Sequence, residues 1–164
     1  MDMVHVFDIA TDTWFTQRTT AQKSYPRGRA SMCSVVASAE DSSSHNIYIY
    51  GGYYQANISI NGAGTNEIHI LTLPAFHWIL VYPSYYSDDT RRVSGHKCQK
   101  VYEKHMVAYR GTNFNGYCDN DDTTQKFQGM VIYDMSSLQW TTMIKLENQK
   151  YLVPQVLYKI IGGE

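Results

Sequence analysis

Charge is scarce in this sequence and nearly balanced. Charged residues make up 18% of the 164, with 14 Lys and Arg against 15 Asp and Glu. Without a basic stripe, a surface that tracks nucleic-acid phosphates is not indicated. Without an acidic tail, neither is a polycation-binding role. The three cysteines, Cys33, Cys98 and Cys118, are too few for a disulfide-stapled miniature fold, and the odd count leaves at least one thiol unpaired within the chain. Proline is limited to four residues, and no Ala/Glu/Lys/Leu-rich stretch shows helical spacing. No run approaches the ~18 apolar residues of a membrane span. Met1 leads into a strand-like run and not a basic and then apolar leader, so no signal peptide is visible.

What the sequence does have is aromatic and repetitive. Tyrosine is common, at 14 residues, and Tyr and β-branched residues favour strands. The composition leans all-β, and the length suits one hydrophobic core. The three tryptophans mark an internal repeat. Trp14, Trp78 and Trp140 each end a similar segment (4–14, 68–78 and 130–140), spaced 64 and 62 residues apart. Six residues before each Trp stand Asp8, Thr72 and Asp134, and seven before stand Phe7, Leu71 and Tyr133. A second landmark is an apolar run ending in glycine. Residues 47–50 precede Gly51 and Gly52, 105–109 precede Arg110 and Gly111, and 156–161 precede Gly162 and Gly163. A third is arginine before a strand, at Arg27 and Arg29 and again at Arg91 and Arg92.

Each unit reads as four short strands. Strand a covers 30–37 or 94–101, strand b 46–50 or 105–109, strand c 67–72 or 129–134, and strand d begins at Trp78 or Trp140. Strand c is apolar at nearly every position, which suits a sheet covered on both faces. The glycines let the chain leave strand b in conformations closed to other residues. The Trp and the residue seven before it serve as large wedges between neighbouring units.

The order of arginine, strand, apolar run with Gly-Gly, aromatic-Asp and then Trp resembles the kelch motif. Within that group the chain is most similar to the fungal kelch-repeat family, through 45–52, 95–98, 118–119 and 153–163. The units exceed the ~50-residue kelch period, and the excess falls in loops. The resemblance implies an all-β fold, a partial propeller of four-stranded antiparallel blades. Residues 1–26 end one unit, 27–90 and 91–150 are complete units, and 151–164 start a further one. Closed propellers have typically ~4–8 blades, so the chain is expected to be the C-terminal part of a larger propeller. Arg110 stands where the first glycine of the middle pair belongs, and Thr72 where Asp belongs.

A meander sends its loops alternately to two ends. The long loops 15–29, 53–66, 82–91, 112–128 and 144–153 share one end. Eight tyrosines lie there, namely Tyr25, Tyr53, Tyr54, Tyr82, Tyr85, Tyr86, Tyr117 and Tyr151, and Phe114 joins them. Tyrosine on rigidly presented loops combines contact area with a hydroxyl, as in many paratopes. This end is the expected ligand face, with the alternative that individual tyrosines pack loops onto the sheets.

Catalytic and metal signatures are not legible. The kelch fold also hosts copper radical oxidases, which need a Tyr–Cys crosslink, a second Tyr and two His, and no segment matches. The six histidines show no ligand spacing, and His5 and His69 occupy equivalent strand positions, favouring a structural role. An EF-hand loop from Asp119 would need Gly at 124 and Glu at 130, where Thr124 and Met130 stand. No cofactor is expected. The fungal likeness implies a Cys98–Cys118 disulfide and hence an oxidising compartment. Cys33, equivalent to Cys98 by repeat register, is then a small buried apolar residue. Asn57 heads a glycosylation sequon. Together these lean toward a secreted or cell-surface parent, with a cytoplasmic one still open. The functional expectation is a non-catalytic kelch scaffold for a protein partner. Its rivals are a glycan-binding or wall-associated propeller and an oxidase remnant.

Overall fold

The computed structural model of the chain describes residues 1–54, 64–82, 92–109, 111, 129–144, 146 and 149–161. Among these residues eleven strands form three sheets, and one helix follows them. β1 (Met3–Asp8) and β2 (Thr13–Arg18) make a two-stranded sheet. β3 (Thr20–Ala21), β4 (Cys33–Ser38), β5 (His45–Tyr50), β6 (Ile68–Leu73) and β7 (His77–Tyr82) make a five-stranded sheet in the order β3-β7-β6-β5-β4. β8 (Lys97–Val101), β9 (His105–Tyr109), β10 (Met130–Asp134) and β11 (Gln139–Thr141) make a four-stranded sheet, each strand beside its sequence neighbour. All pairings are antiparallel except β3 with β7. No described helix is long and apolar enough to cross a membrane.

The tryptophan spacing has a simple structural meaning. Each Trp lies directly across the ladder from the residue seven before it: Phe7 from Trp14, Leu71 from Trp78, and Tyr133 from Trp140. Such facing pairs are the unit by which antiparallel sheets gain side-chain stabilisation. The hairpins joining the paired strands share a second feature. The residue two before each Trp has positive φ: Asp12 at 52°, Phe76 at 49° and Leu138 at 57°. Asp8 and Asp134 hold the first and third hairpins. Asp8 accepts from Ala10 N at 2.9 Å and Thr11 Oγ1 at 2.7 Å, and Asp134 accepts from Ser136 N at 2.9 Å and Ser137 N at 3.0 Å. Thr72, fully buried, stands in the corresponding place of the second hairpin.

The five-stranded sheet is buried on both faces. Val35, Ala37, Tyr48, Tyr50, Ile68, Ile70 and Ile79 face one core, shared with Met106, Ala108 and Tyr133 of the four-stranded sheet. Ile49, Leu71 and Trp78 face a second, smaller core with Val4 of β1. The period of two along each strand sorts side chains between these cores, so β6 is apolar and buried almost throughout. β1 alternates between exposed and half-buried positions, and β2 is exposed along its length. Two-sided burial therefore holds for β6 and fails for β1.

Three expectations need correcting. Trp14 is 68% exposed and wedges between no two described sheets; it rests on Phe7, with ring centroids 5.0 Å apart. Residues 156–161 are not a strand. They belong to helix α1 (Gln155–Ile161), in which Val156, Leu157 and Ile160 turn toward the main core. Pro154 lies just ahead of the first turn, where a missing N–H costs nothing, and the apolar spacing is helical and not alternating. Tyr151 is a core residue and not part of an exposed loop face. Its hydroxyl lies 3.0 Å from that of Tyr48, which donates to Met135 O at 2.8 Å.

The two tryptophan environments predict opposite mutant behaviour. Trp78, 4% exposed, should cost about 3–5 kcal/mol on replacement by alanine, and Trp14→Ala less than about 1 kcal/mol. Urea denaturation of both variants checks this, and equal losses would contradict the one-sided burial of β1–β2.

Candidate functional site

The glycine landmarks act as close-approach points between sheets. Gly51 and Gly52 leave β5 with φ of 66° and 88°. A Cβ on Gly51 would lie 2.6 Å from both His96 Cε1 and Val93 O, and one on Gly111 2.7 Å from Val93 Cγ2 and 2.8 Å from His96 Cβ. Real Cβ atoms do not come so near, so segment 93–96 is gripped from two sides by glycine. Backbone hydrogen bonds complete the seam. Gly52 N donates to Val93 O at 2.9 Å, Val93 N to Thr65 O at 3.3 Å, and Gly95 N to Ser31 O at 2.9 Å. Gly162, Gly163 and Arg110 lie outside the described residues.

Arg29 anchors one end of this seam. Its side chain is fully buried and reaches Glu67 Oε2 at 2.6 Å, Gly51 O at 3.3 Å and the Tyr54 hydroxyl at 3.3 Å. Its guanidinium also lies over the Tyr54 ring, 5.1 Å from the centroid. The Tyr54 hydroxyl donates to Glu67 Oε2 at 2.5 Å. Burial opposes ionisation of Glu67, yet the Tyr54 and Arg29 hydrogen bonds hold its carboxyl below the ordinary carboxylate value. Burial and the Glu67 bond raise the Tyr54 phenol. The arrangement has the satisfied partners a buried ion pair needs.

Cysteine pairing differs from the expectation. Cys98 is joined to Cys33, with Cα atoms 5.5 Å apart, and not to Cys118, which lies outside the described residues. The reason is register. Cys33 faces Tyr50 across its ladder, and Cys98 faces Ala108, both fully buried core positions. In the second unit Tyr109, just before Arg110 and Gly111, pairs with Lys97 and is 41% exposed. Counted from the glycine landmark, Lys97 therefore takes the place of Cys33, Cys98 stands one position further along its strand, and one position exchanges faces. This turns Cys98 inward, toward Cys33 on the neighbouring sheet edge. His96 completes the cluster: one ligand atom from each of Cys33, His96 and Cys98 lies within 4.8 Å of the others. The ring is 2% exposed and meets Tyr50 edge-on, with centroids 4.9 Å apart. The sequence reading missed this group because Cys33 is remote in sequence; its only local trace is His96 two residues before Cys98.

The expected aromatic face divides. Tyr53 is 37% and Tyr25 41% exposed. Tyr54 is occupied by Arg29 and Glu67, and Tyr82 packs edge-on against Trp140, with centroids 6.0 Å apart. Tyr85, Tyr86, Phe114, Tyr117 and the sequon at Asn57 lie outside the described residues. A cleft of about 310 Å³ opens at the opposite ends of the strands, lined by Lys104, His105, Asp134, Gln139, Trp140 and Met143 among others. Its charges are matched, with Lys104 Nζ 3.2 Å from Asp134 Oδ2.

No family model matches the chain. Over its full length it is similar to a kelch repeat-containing protein of the fungus Arthroderma benhamiae, 30% identical over 189 aligned positions. The chain spans 26% of that relative's length.

Two buried histidines set an acid limit on stability. Burial pushes His69 from its ordinary 6.5 down to about 4, with Arg29 adding to the effect. Burial pushes His96 to about 4 as well, a hydrogen bond with the Tyr50 backbone acting the other way. The unfolded chain takes up these protons near 6.5 and the folded chain only near 4, so their contribution is full above 6.5 and is lost as pH falls toward 4. The loss is at most about 3 kcal/mol for each histidine. Urea midpoints should drop steadily from about pH 7 to about pH 4.5, and a flat profile would contradict neutral burial.

Proposed function

We propose that the chain is a run of kelch-type propeller blades that binds a protein partner, without catalysis, through aromatic loops at one end of its sheets. The observation that carries this reading is the cross-strand pair ending in Trp14, Trp78 and Trp140, repeated with the same positive-φ residue two positions earlier. The full-length likeness to a kelch repeat-containing protein supports it. In this reading β4–β7 and β8–β11 are two blades, and β1–β2 is part of a third whose outward face awaits a neighbour. Propellers close with ~4–8 blades, so closure draws on further blades, from a longer polypeptide or from other copies.

Among the described residues, Tyr25 and Tyr53 are the exposed tyrosines of these loops. Tyrosine supplies large contact area at low conformational cost, which suits a binding surface. The cleft at the opposite end holds a paired ammonium and carboxylate, an arrangement that favours structure over proton transfer. Fold alone does not assign function, so the reading rests on a binding test. A partner captured by the chain should be produced recombinantly and titrated against it. Combined alanine substitution at Tyr25, Tyr53, Tyr85 and Tyr86 should weaken binding at least tenfold with an unchanged β-type circular dichroism spectrum, while Trp14→Ala should not. Undiminished binding by the tyrosine variant would move the site elsewhere. Saturable glycan binding lost in that variant, with no protein partner, would replace protein by sugar, and copper uptake with a radical absorption would point to oxidase chemistry.

A further inference from the structure

We propose that Cys33, Cys98 and His96 form a thiolate–imidazole site for a soft d10 cation, Zn²⁺ or Cu⁺, once the disulfide between the two sheets is reduced. Three observations bring these groups together. Both cysteines face the shared core from adjoining sheet edges, and each can offer a sulfur to one point. His96 is 2% exposed, neither ring nitrogen makes a well-formed hydrogen bond, the Tyr50 backbone offering only a poorly aligned one, and its ligand atom lies within 4.8 Å of both sulfurs. A buried imidazole normally satisfies at least one nitrogen well, and an imidazole beside two sulfurs is a donor set that a thiophilic cation uses. The ring is also held in place. Gly51 leaves room for its Cε1–Nε2 edge, and Tyr50 packs against it. Cys98 is only half-buried, which gives an ion a route in and leaves a coordination position for water or a further ligand. Three protein donors plus an open position is a recognised zinc arrangement, and two thiolates with an imidazole equally suit Cu⁺.

The chemistry balances with a cellular monothiol as reductant. Two electrons and two protons cleave the Cys33–Cys98 bond to two thiols, while two monothiols join as one disulfide. Binding of the cation then releases the two thiol protons, and two sulfur–metal bonds and one nitrogen–metal bond form. The same cluster would thus staple the sheets in an oxidising compartment and bridge them through a metal in a reducing one.

The test uses the whole chain, reduced with a phosphine and kept anaerobic. Co²⁺, a coloured stand-in for Zn²⁺, should bind one per chain with an intense thiolate-to-metal charge-transfer band, displaced by one equivalent of Zn²⁺. Competition with a chromophoric Cu⁺ chelator reports whether Cu⁺ is preferred. The Cys118→Ser variant should bind like the parent. His96→Ala should weaken Zn²⁺ at least 100-fold, beyond the 10–100-fold loss expected for a merely supporting contact. The oxidised chain should show no charge-transfer band. Absence of the band in the reduced, folded Cys118→Ser variant would overturn the proposal. So would equal affinity in His96→Ala, or binding that survives replacement of Cys33 and Cys98 by serine. A reduced Cys118→Ser chain that unfolds and does not recover its β spectrum with Zn²⁺ would overturn it as well.

Discussion

The near contact between the exit of β5 and residues 93–96 is the constraint on which the two larger sheets depend. Side chains at Gly51 or Gly111 would collide with Val93 or His96. Their absence lets the backbones bond directly, Gly52 to Val93 and Gly95 to Ser31. That closeness in turn seals Val93, Tyr50 and Met106 into one core. Arg29 reinforces it by bonding Gly51 O while its charge is met by Glu67. Glycine here serves mainly a contact between sheets, and a free-standing turn would not need such proximity.

From this seam the burial gradient follows. The five-stranded sheet has a neighbour on each side, so both residues of every alternating pair along β6 lie inside. The outer sheets have one described neighbour each, and their outward positions carry exposed apolar groups, among them Phe7, Trp14 and Phe15 on β1–β2. The same motif residue is thus core in one unit and surface in another. The hairpin geometry is unchanged between them, since Phe7 faces Trp14 as Leu71 faces Trp78. Local sequence sets the hairpin, and the number of neighbouring sheets sets its burial.

This division explains how much was legible in the sequence. The strands came out within one to three residues because apolar alternation, turn residues and the tryptophan period are local signals. The helix at 155–161 was misread because a short apolar run before Gly-Gly carries the strand landmark while its spacing is helical. Trp14 was misplaced because exposure depends on what packs against it. The Cys33–Cys98 pairing was hidden because Cys98 stands one ladder position further from its glycine landmark than Cys33 does, and so on the opposite face of its own sheet. Repeat register made the two cysteines equivalent; only the observed ladder shows that both face inward. Among the tyrosines, position at a loop end did not separate Tyr53, which is exposed, from Tyr54, whose hydroxyl is tied to Glu67 and Arg29.

The buried polar groups of the seam are not alike, and the contrast has a physical meaning. Arg29, Glu67 and Tyr54 satisfy one another, as do Tyr48, Tyr151 and the Met135 carbonyl. Such closed networks fix a unique packing. His69, His77 and His105 each leave one buried ring nitrogen without a hydrogen bond, while at His96 neither nitrogen makes a well-formed one. Burying an imidazole in this way costs desolvation with little return from hydrogen bonding. A purely apolar side chain of similar size would fill the space beside Tyr50 without that cost. The placement makes physical sense if the ring nitrogen answers to something other than a protein donor, and the nearest such chemistry is the pair of sulfurs that the two sheet edges bring to it.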